Sequence, residues 1–108
     1  MIMVRAIVRP DKKETVLYEL SSAGFNAATV LDVVGRGKQK GIKFGDVIYD
    51  EIPKSLIMLV IADEDKEDVI ELVLRHAKTG DTGAFGDGKI FVSAVDEVYT
   101  VSSGAAGL

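Results

Sequence analysis

The spacing of apolar and polar residues predicts four strands with a helix after the first and the third. The strands are predicted over residues 1–8, 27–34, 55–62 and 89–95. They are rich in β-branched and apolar residues and are bounded by Gly, Pro or acidic positions. A short fifth strand is predicted over 97–101, and we expect the Ser/Gly/Ala-rich tail at 102–108 to be flexible.

Helical periodicity fills two of the intervening segments. The apolar stripe of the first helix contains Val16, Leu17, Leu20 and Ala23, and Gly24 ends it. The stripe of the second helix contains Val69, Ile70, Val73, Leu74 and Ala77. Asp11 and Glu14 have capping-box spacing, and we expect Asp63 or Asp65 to cap the second helix.

The predicted order is βαββαβ, the split-βαβ or ferredoxin-like arrangement of an α+β fold, with one short extra strand. No linker or change of composition divides residues 1–108, so we predict a single domain. The third strand is apolar on both sides, since Ile57 and Leu59 alternate with Leu56 and Met58. Helices cover one face only, so we expect the open face to be buried between subunits; a mildly apolar, exposed face is the alternative.

The amino-acid composition argues against several classes of protein. The 108 residues are 47% hydrophobic and 28% charged, which excludes general disorder, and the net charge of -4 argues against nucleic-acid binding. The chain contains no cysteine, which excludes disulfides, thiolate metal sites and cysteine nucleophiles. No apolar run suits a signal peptide or a membrane span of roughly 18 residues. We therefore expect a cytoplasmic protein without membrane insertion.

Two glycine-rich segments are candidates for an anion site. The first, Gly35-Arg36-Gly37-Lys38-Gln39-Lys40-Gly41, lies in a long polar connection over residues 35–54. Its glycines let backbone N–H groups approach a polyphosphate or carboxylate, with cations between them. A solvated hairpin that carries lysines for solubility is the alternative.

The second segment runs from Thr79 to Lys89 and matches the first part of a P-loop, GxxxxGK, from Gly83. It is not a P-loop, because Ile90 replaces the magnesium-binding Ser/Thr and the segment enters a strand rather than a helix. A simple helix-to-strand turn is the alternative. In a split-βαβ fold both segments can lie at the same end of the sheet, which favours an anion site.

These segments resemble the PII family of nitrogen regulators over almost the whole chain. Residues 29–41 resemble the strand and base of the family's T-loop (region 35–54), and Pro53-Lys54 resembles its return. Residues 79–89, with the following Ile90-Phe91-Val92, resemble its B-loop. The sequences GRGKQKG and YDEIPK are most similar to the branch encoded with nitrogenase genes in archaea and some anaerobes.

The resemblance implies a regulatory homotrimer, and no enzyme, with ATP/ADP sites between neighbouring subunits. It places on one wall of each site Gly37, Lys38, Gln39, Gly86, Asp87, Gly88 and Lys89. The adjoining loop residues Gly35, Arg36, Lys40, Gly41 and Phe85 complete the candidate set, with Phe85 expected to fill the loop rather than stack on a base. The neighbour is expected to supply Ala27, Ala28 and Thr29.

The same resemblance assigns further roles within that site. Gln39 would hold Mg²⁺ together with 2-oxoglutarate, and Lys54 would pair with a carboxylate. The T-loop conformation would then be recognised by a target such as nitrogenase, glutamine synthetase or an ammonium channel.

Departures from the family pattern support an alternative function. The family's R-x-R-T-G near the chain end is replaced by Thr100-Val101-Ser102-Ser103-Gly104, Lys38 replaces an arginine, and about three residues are added near 82–84. The alternative is a PII-like trimer that has lost normal ATP binding and responds to another nucleotide or anion, or serves as an assembly partner. The T-loop also lacks the uridylylation motif, which leaves Tyr49 as a possible partner contact.

Two other classes with this topology fit the residues less well. An acylphosphatase needs an early arginine cradle and an asparagine that positions water, but Asn26 lies beyond the first helix from Arg9. An RNA-binding module needs aromatic residues on its central strands, where this chain has Ile57 and Leu59. His76 has no neighbouring ligand cluster and is expected at the surface.

Overall fold

The structure is a computed structural model that describes residues 1–36 and 51–108, together with the backbone of residues 42–44 and 47–49. Five candidate binding residues lie outside the described residues: Gly37, Lys38, Gln39, Lys40 and Gly41.

The described elements follow the predicted order. The four main strands and two helices are β1 (Ile2–Val8), α1 (Lys13–Ser22), β2 (Thr29–Gly35), then β5 (Ile52–Ile61), α2 (Lys66–Ala77) and β6 (Gly88–Ala94). Two short strands, β3 (Ile42–Phe44) and β4 (Val47–Tyr49), form a separate antiparallel ribbon between β2 and β5. The ferredoxin-like fold predicted from periodicity is therefore confirmed. Neither described helix is long and apolar enough to cross a membrane.

The main sheet has the strand order β2-β5-β1-β6, and its neighbouring strands are antiparallel. Val8, at the end of β1, lies opposite Ser55 on one side and Gly88 on the other. Gly35, at the end of β2, lies opposite Ile52. The connections after β2 and before β6 therefore meet at one end of the sheet, as predicted for the two glycine-rich segments.

One face of the sheet and both helices enclose the core. Its buried residues alternate along the central strands and follow one stripe of each helix: Val4, Ala6, Val8, Val16, Leu20, Ile57, Leu59, Ile61, Val69, Val73 and Ala77. The residues between them, such as Met58 on β5, point to the opposite face, where Leu31 and Phe91 are 46% and 48% exposed. This confirms that the helices cover one face; burial of the open face between subunits stays a prediction.

The expected cap of α1 is wrong, whereas Asp65 occupies the expected N-cap position of α2 but makes no side-chain cap hydrogen bond. Asp11 lies within a 3₁₀ turn, Pro10–Lys12, and the N-cap of α1 is Lys12. A second turn, Asp63–Asp65, makes Asp65 the N-cap of α2 without a side-chain hydrogen bond. Both N-cap residues have helical φ and ψ angles, whereas a side-chain cap requires an extended residue there. Asp63 instead forms an ion pair with the amino group of Met1 at 3.0 Å.

The predicted fifth strand is also absent from the described residues that follow β6. We call residues 96–108 the C-terminal segment. Gly104, with φ of +68°, reverses the chain, and the Thr100 N–H donates to the Ala105 carbonyl at 2.9 Å. Tyr99 forms a single antiparallel bridge with Ala106. The segment fails to extend the sheet because it pairs with itself.

Candidate functional site

The B-loop, residues 79–89, is organised around the carboxylate of Asp87. Oδ2 accepts hydrogen bonds from the N–H groups of Thr79 and Ala84 at 3.0 and 2.8 Å. Oδ1 accepts from the Thr79 hydroxyl at 2.6 Å and from Nε of Arg9 at 2.9 Å. One side chain thus connects the end of α2, the middle of the loop and the end of β1.

These contacts determine the ionisation of Asp87. Burial is the largest influence and by itself would raise the pKa of the carboxyl group. The combined hydrogen bonds from Thr79, Ala84 and Arg9 outweigh it and hold the pKa well below its usual range. Asp87 is therefore an anion under all ordinary conditions, and its negative charge faces inward to support the loop.

Two glycines let the B-loop backbone lie close to its neighbours. A Cβ atom on Gly88 would stand 1.7 Å from the carbonyl oxygen of Ile7, and Gly88 has a φ of +118°. A Cβ atom on Gly86 would stand 3.2 Å from Nη2 of Arg9 and 3.6 Å from Nζ of Lys54. Gly88 therefore permits the contact with β1, while Gly86 leaves room for two cations.

Arg9 and Lys54 converge on this point from two strands. Nη2 of Arg9 donates to the Phe85 carbonyl at 2.7 Å, and Nζ of Lys54 donates to the Gly86 carbonyl. Burial lowers the pKa of Lys54, and the nearby positive charge of Arg9 lowers it further; Asp87 partly opposes the change. A bound anion would relieve this repulsion, so the geometry suits a phosphate or a carboxylate.

The other predicted site residues divide into two groups. Gly35 ends β2 and Arg36 follows it, at the same end of the sheet as the B-loop, and Lys89 is exposed near the start of β6. Ala27, Ala28 and Thr29 lie at the opposite end, since Thr29 pairs with Met58 whereas Gly35 pairs with Ile52. One chain therefore does not bring these three residues to the B-loop.

Phe85 differs from its expected role. Its side chain is 84% exposed, so it does not fill the loop. The ring lines a cleft of about 710 Å³ between α2 and β6.

Sequence reasoning missed Arg9 as a site residue. The available signal was its position directly after β1 and before Pro10, at the sheet end where both loops were expected. Among the described residues no group of three or more His, Asp or Glu side chains could hold a metal ion. Nε2 of His76, on α2, lies 3.8 Å from Oε2 of Glu19 on α1.

Comparison with known proteins agrees with this arrangement. A sequence model of the family described as nitrogen regulatory protein P-II matches residues 1–105. The chain is 56% identical to "Nitrogen fixation nifHD region glnB-like protein 1" of Methanococcus maripaludis and 52% identical to the protein of that name in Methanobacterium ivanovii, in both cases over the full length of both chains. It is 44% identical to "Nitrogen regulatory protein P-II 2" of Methanothermobacter thermautotrophicus, over 94% of this chain and 90% of that protein. The resemblance seen in the two loops is therefore confirmed, and the chain belongs to the P-II family of nitrogen regulatory proteins, which are signal transducers and not enzymes.

Proposed function

We propose that this protein is a homotrimeric sensor of adenine nucleotide and 2-oxoglutarate that controls a target of nitrogen metabolism through its T-loop. The observation that carries the proposal is the convergence of Arg9 and Lys54 on Gly86, in a loop that Asp87 holds in shape. This cationic point lies at the sheet end where the T-loop begins and returns.

The charges of the site suit a polyphosphate or a dicarboxylate. Burial and, after it, the charge of Arg9 lower the pKa of Lys54, and an anion between the two cations would reduce their repulsion. The positive φ angles of Gly86 and Gly88 give the loop a shape that most side chains would prevent. The B-loop is thus prepared for an anion before one binds.

Magnesium and the nucleotide would complete the site. Gln39 would help to hold Mg²⁺, which would supply positive charge to the phosphates, and Lys54 would bind a carboxylate of 2-oxoglutarate. The wall formed by Ala27, Ala28 and Thr29 would come from a neighbouring copy, since a single chain places these residues at the far end of its sheet.

The names of the relatives favour nitrogenase as the target. Two of them, in Methanococcus maripaludis and Methanobacterium ivanovii, are named for the nifHD region. Glutamine synthetase and an ammonium channel are the other targets that we propose to test. In each case the target would recognise the T-loop, whose ribbon β3–β4 would change position with the bound ligand.

A second candidate function rests on the C-terminal segment. Residues 96–108 contain no Lys or Arg, so the pair of arginines that contacts phosphates elsewhere in the family has no counterpart here. Each lost charge-assisted contact costs about 1.5–3 kcal/mol. A trimer that binds another nucleotide or anion, or that serves as an assembly partner, is therefore the alternative.

Calorimetric titration separates these two functions. ATP and ADP are added with Mg²⁺, each with and without 2-oxoglutarate. We expect micromolar ATP binding, and 2-oxoglutarate binding only when MgATP is present. Lys54→Met is expected to weaken 2-oxoglutarate binding at least tenfold, because one charge-assisted contact is lost.

The matched control is Lys66→Met, which removes an exposed lysine from the start of α2 at the other end of the sheet. Its titration should equal that of the wild type. No heat with either nucleotide would exclude the ATP assignment and favour the second function. Equal effects of both substitutions would show that Lys54 acts only through net charge.

A further inference from the structure

The open face of the sheet, the face away from the helices, carries the positive charge of Arg5 among apolar side chains. Arg5 lies at the centre of β1, between Met58 on β5 and Phe91 on β6. Its own strand places Met3 and Ile7 on the same face. Arg5 is half-buried, and its Nη1 donates a long hydrogen bond of 3.4 Å to Oγ of Ser93.

Among the described residues, the open face has positive charges and no carboxylate. Lys54 and Lys89 share this face with Arg5, because they pair with Val33 and Ile7. No described acidic side chain forms an ion pair with Arg5. If another copy of the chain covered this face, the guanidinium would lose water, and a buried unpaired charge is strongly unfavourable.

We propose that the covering copy supplies the missing carboxylate and that this carboxylate is Glu97, so that Arg5 and Glu97 pair between subunits. The inference rests on the homotrimer of the proposed function and names an ion pair that stabilises that trimer. Trimers with cyclic symmetry use two different patches, so the sheet face of one copy meets a separate patch of the next.

Glu97 suits this role by its position and its neighbours. It is exposed and follows the end of β6, and the Tyr99 hydroxyl donates to Oε2 at 2.8 Å, which orients the carboxylate. Tyr99 and Val101 are 59% and 98% exposed, so the C-terminal segment presents apolar surface beside the charge. An acidic segment with exposed apolar groups complements an apolar face with three cations.

The pair cannot form within one chain. Arg5 lies opposite Phe91, and the Val95 N–H donates to the Met1 carbonyl, so β6 continues past the start of β1. The four residue steps from Arg5 to Met1 span about 13 Å along the strand, and Glu97 lies two residues beyond Val95, the partner of Met1. Only a second copy can bring Glu97 to Arg5.

Charge exchange tests the pair. Arg5→Glu and Glu97→Arg are made separately and together in the full chain, and the oligomeric state is measured by sedimentation velocity across a concentration series. We expect each single substitution to raise the concentration at which trimers dissociate at least a hundredfold. The double variant should return to within tenfold of the wild type, because the exchanged charges attract again.

Two control variants carry the same charge changes elsewhere. Asp96→Arg changes the residue next to Glu97, and Arg75→Glu changes an exposed partner of Glu71 on α2. Both should leave the trimer unchanged. Glu97→Gln, outside the sheet, should also weaken the trimer, and it keeps the test valid if Arg5→Glu fails to fold.

The outcomes separate this inference from the function on which it rests. A trimeric wild type whose assembly is unaffected by Arg5→Glu or Glu97→Gln would overturn the pair and leave the sensor intact. Single variants that are not rescued by the double variant would also overturn it. A monomeric wild type that still binds MgATP would overturn the homotrimer together with the pair.

Discussion

The B-loop and the C-terminal segment flank the same strand, β6, and both contain glycines with positive φ, yet different interactions hold them. In the B-loop, Asp87 joins three parts of the chain, and Gly88 lies against the backbone of β1. In the C-terminal segment, a Cβ atom on Gly104 would have nothing within 4 Å, and the hydrogen bonds of the turn stay within the segment. The comparison shows that a glycine matters most where a neighbouring backbone occupies the space of its missing side chain.

Of the substitutions in the two segments, Gly88→Ala in the B-loop should destabilise the protein most. A methyl group would overlap the Ile7 carbonyl oxygen, and the positive φ would add strain, so β1 and β6 could not keep their register. We expect a loss of more than about 4 kcal/mol in the free energy of unfolding, measured by urea denaturation.

Gly80→Ala is the matched control in the same loop. Gly80 has a φ of +61°, but nothing lies within 4 Å of the added methyl group. The substitution should cost only about 1 kcal/mol, because it forces alanine into the left-handed conformation. If both substitutions cost the same, backbone conformation rather than contact with β1 governs the loop.

Asp87→Asn should weaken the centre of the loop while keeping its shape. The amide cannot match the carboxylate as an acceptor for Thr79, Ala84 and Arg9, so we expect a loss of about 2–4 kcal/mol in the free energy of unfolding. Asp81→Asn, at an exposed position in the same loop, should change stability by less than about 0.5 kcal/mol.

The effect of Asp87 should also depend on pH with a definite sign. The pKa of Asp87 is lower in the folded than in the unfolded chain. Its ionised form therefore contributes fully to the free energy of unfolding above the ordinary carboxyl pKa of about 3.9. This contribution is lost progressively as the pH falls below that value. The stability difference between wild type and Asp87→Asn should therefore be constant from pH 7 to 5 and shrink towards pH 3. A constant difference over the whole range would show that the charge is irrelevant.

Gly104→Ala, in the C-terminal segment, should have the smallest effect on global stability. The C-terminal segment can change its turn without disturbing the core, so we expect less than about 0.5 kcal/mol in global stability. Hydrogen exchange at the Thr100 amide, which bonds to Ala105, should become faster. A global loss above about 1 kcal/mol would mean that this segment supports the core.

Periodicity predicted the sheet, the helices and the end of the sheet where the loops meet, because a buried stripe must repeat with the period of its element. Side-chain type predicted the helix caps less well. Asp11 lies within a 3₁₀ turn, and Asp65 is at the N-cap of α2 but makes no side-chain cap hydrogen bond. The strand expected at 97–101 has the right composition, but Gly104 gives it a nearer partner. Composition alone does not show which of two partners a segment will meet.

The candidate site could be predicted only in part for a related reason. Lys54 and the glycines of the B-loop stood out by resemblance, whereas Arg9 lies 78 positions before Asp87 in the chain. Its role depends on β1 lying next to β6, and strand order is a property of the whole fold. The role expected of Phe85 was wrong because the side chain is exposed, and sequence alone does not show which way a loop side chain points.

The contact between Arg9 and Asp87 also has a consequence for the order in which the chain folds. Synthesis proceeds from the amino terminus, so β1 is made first, although both of its neighbours in the sheet, β5 and β6, are made later. Contacts between residues so distant in sequence form slowly, because a long loop must close before they become favourable. The B-loop thus takes its shape only after the last strand has docked, and an incomplete or misfolded chain presents no such loop to a ligand.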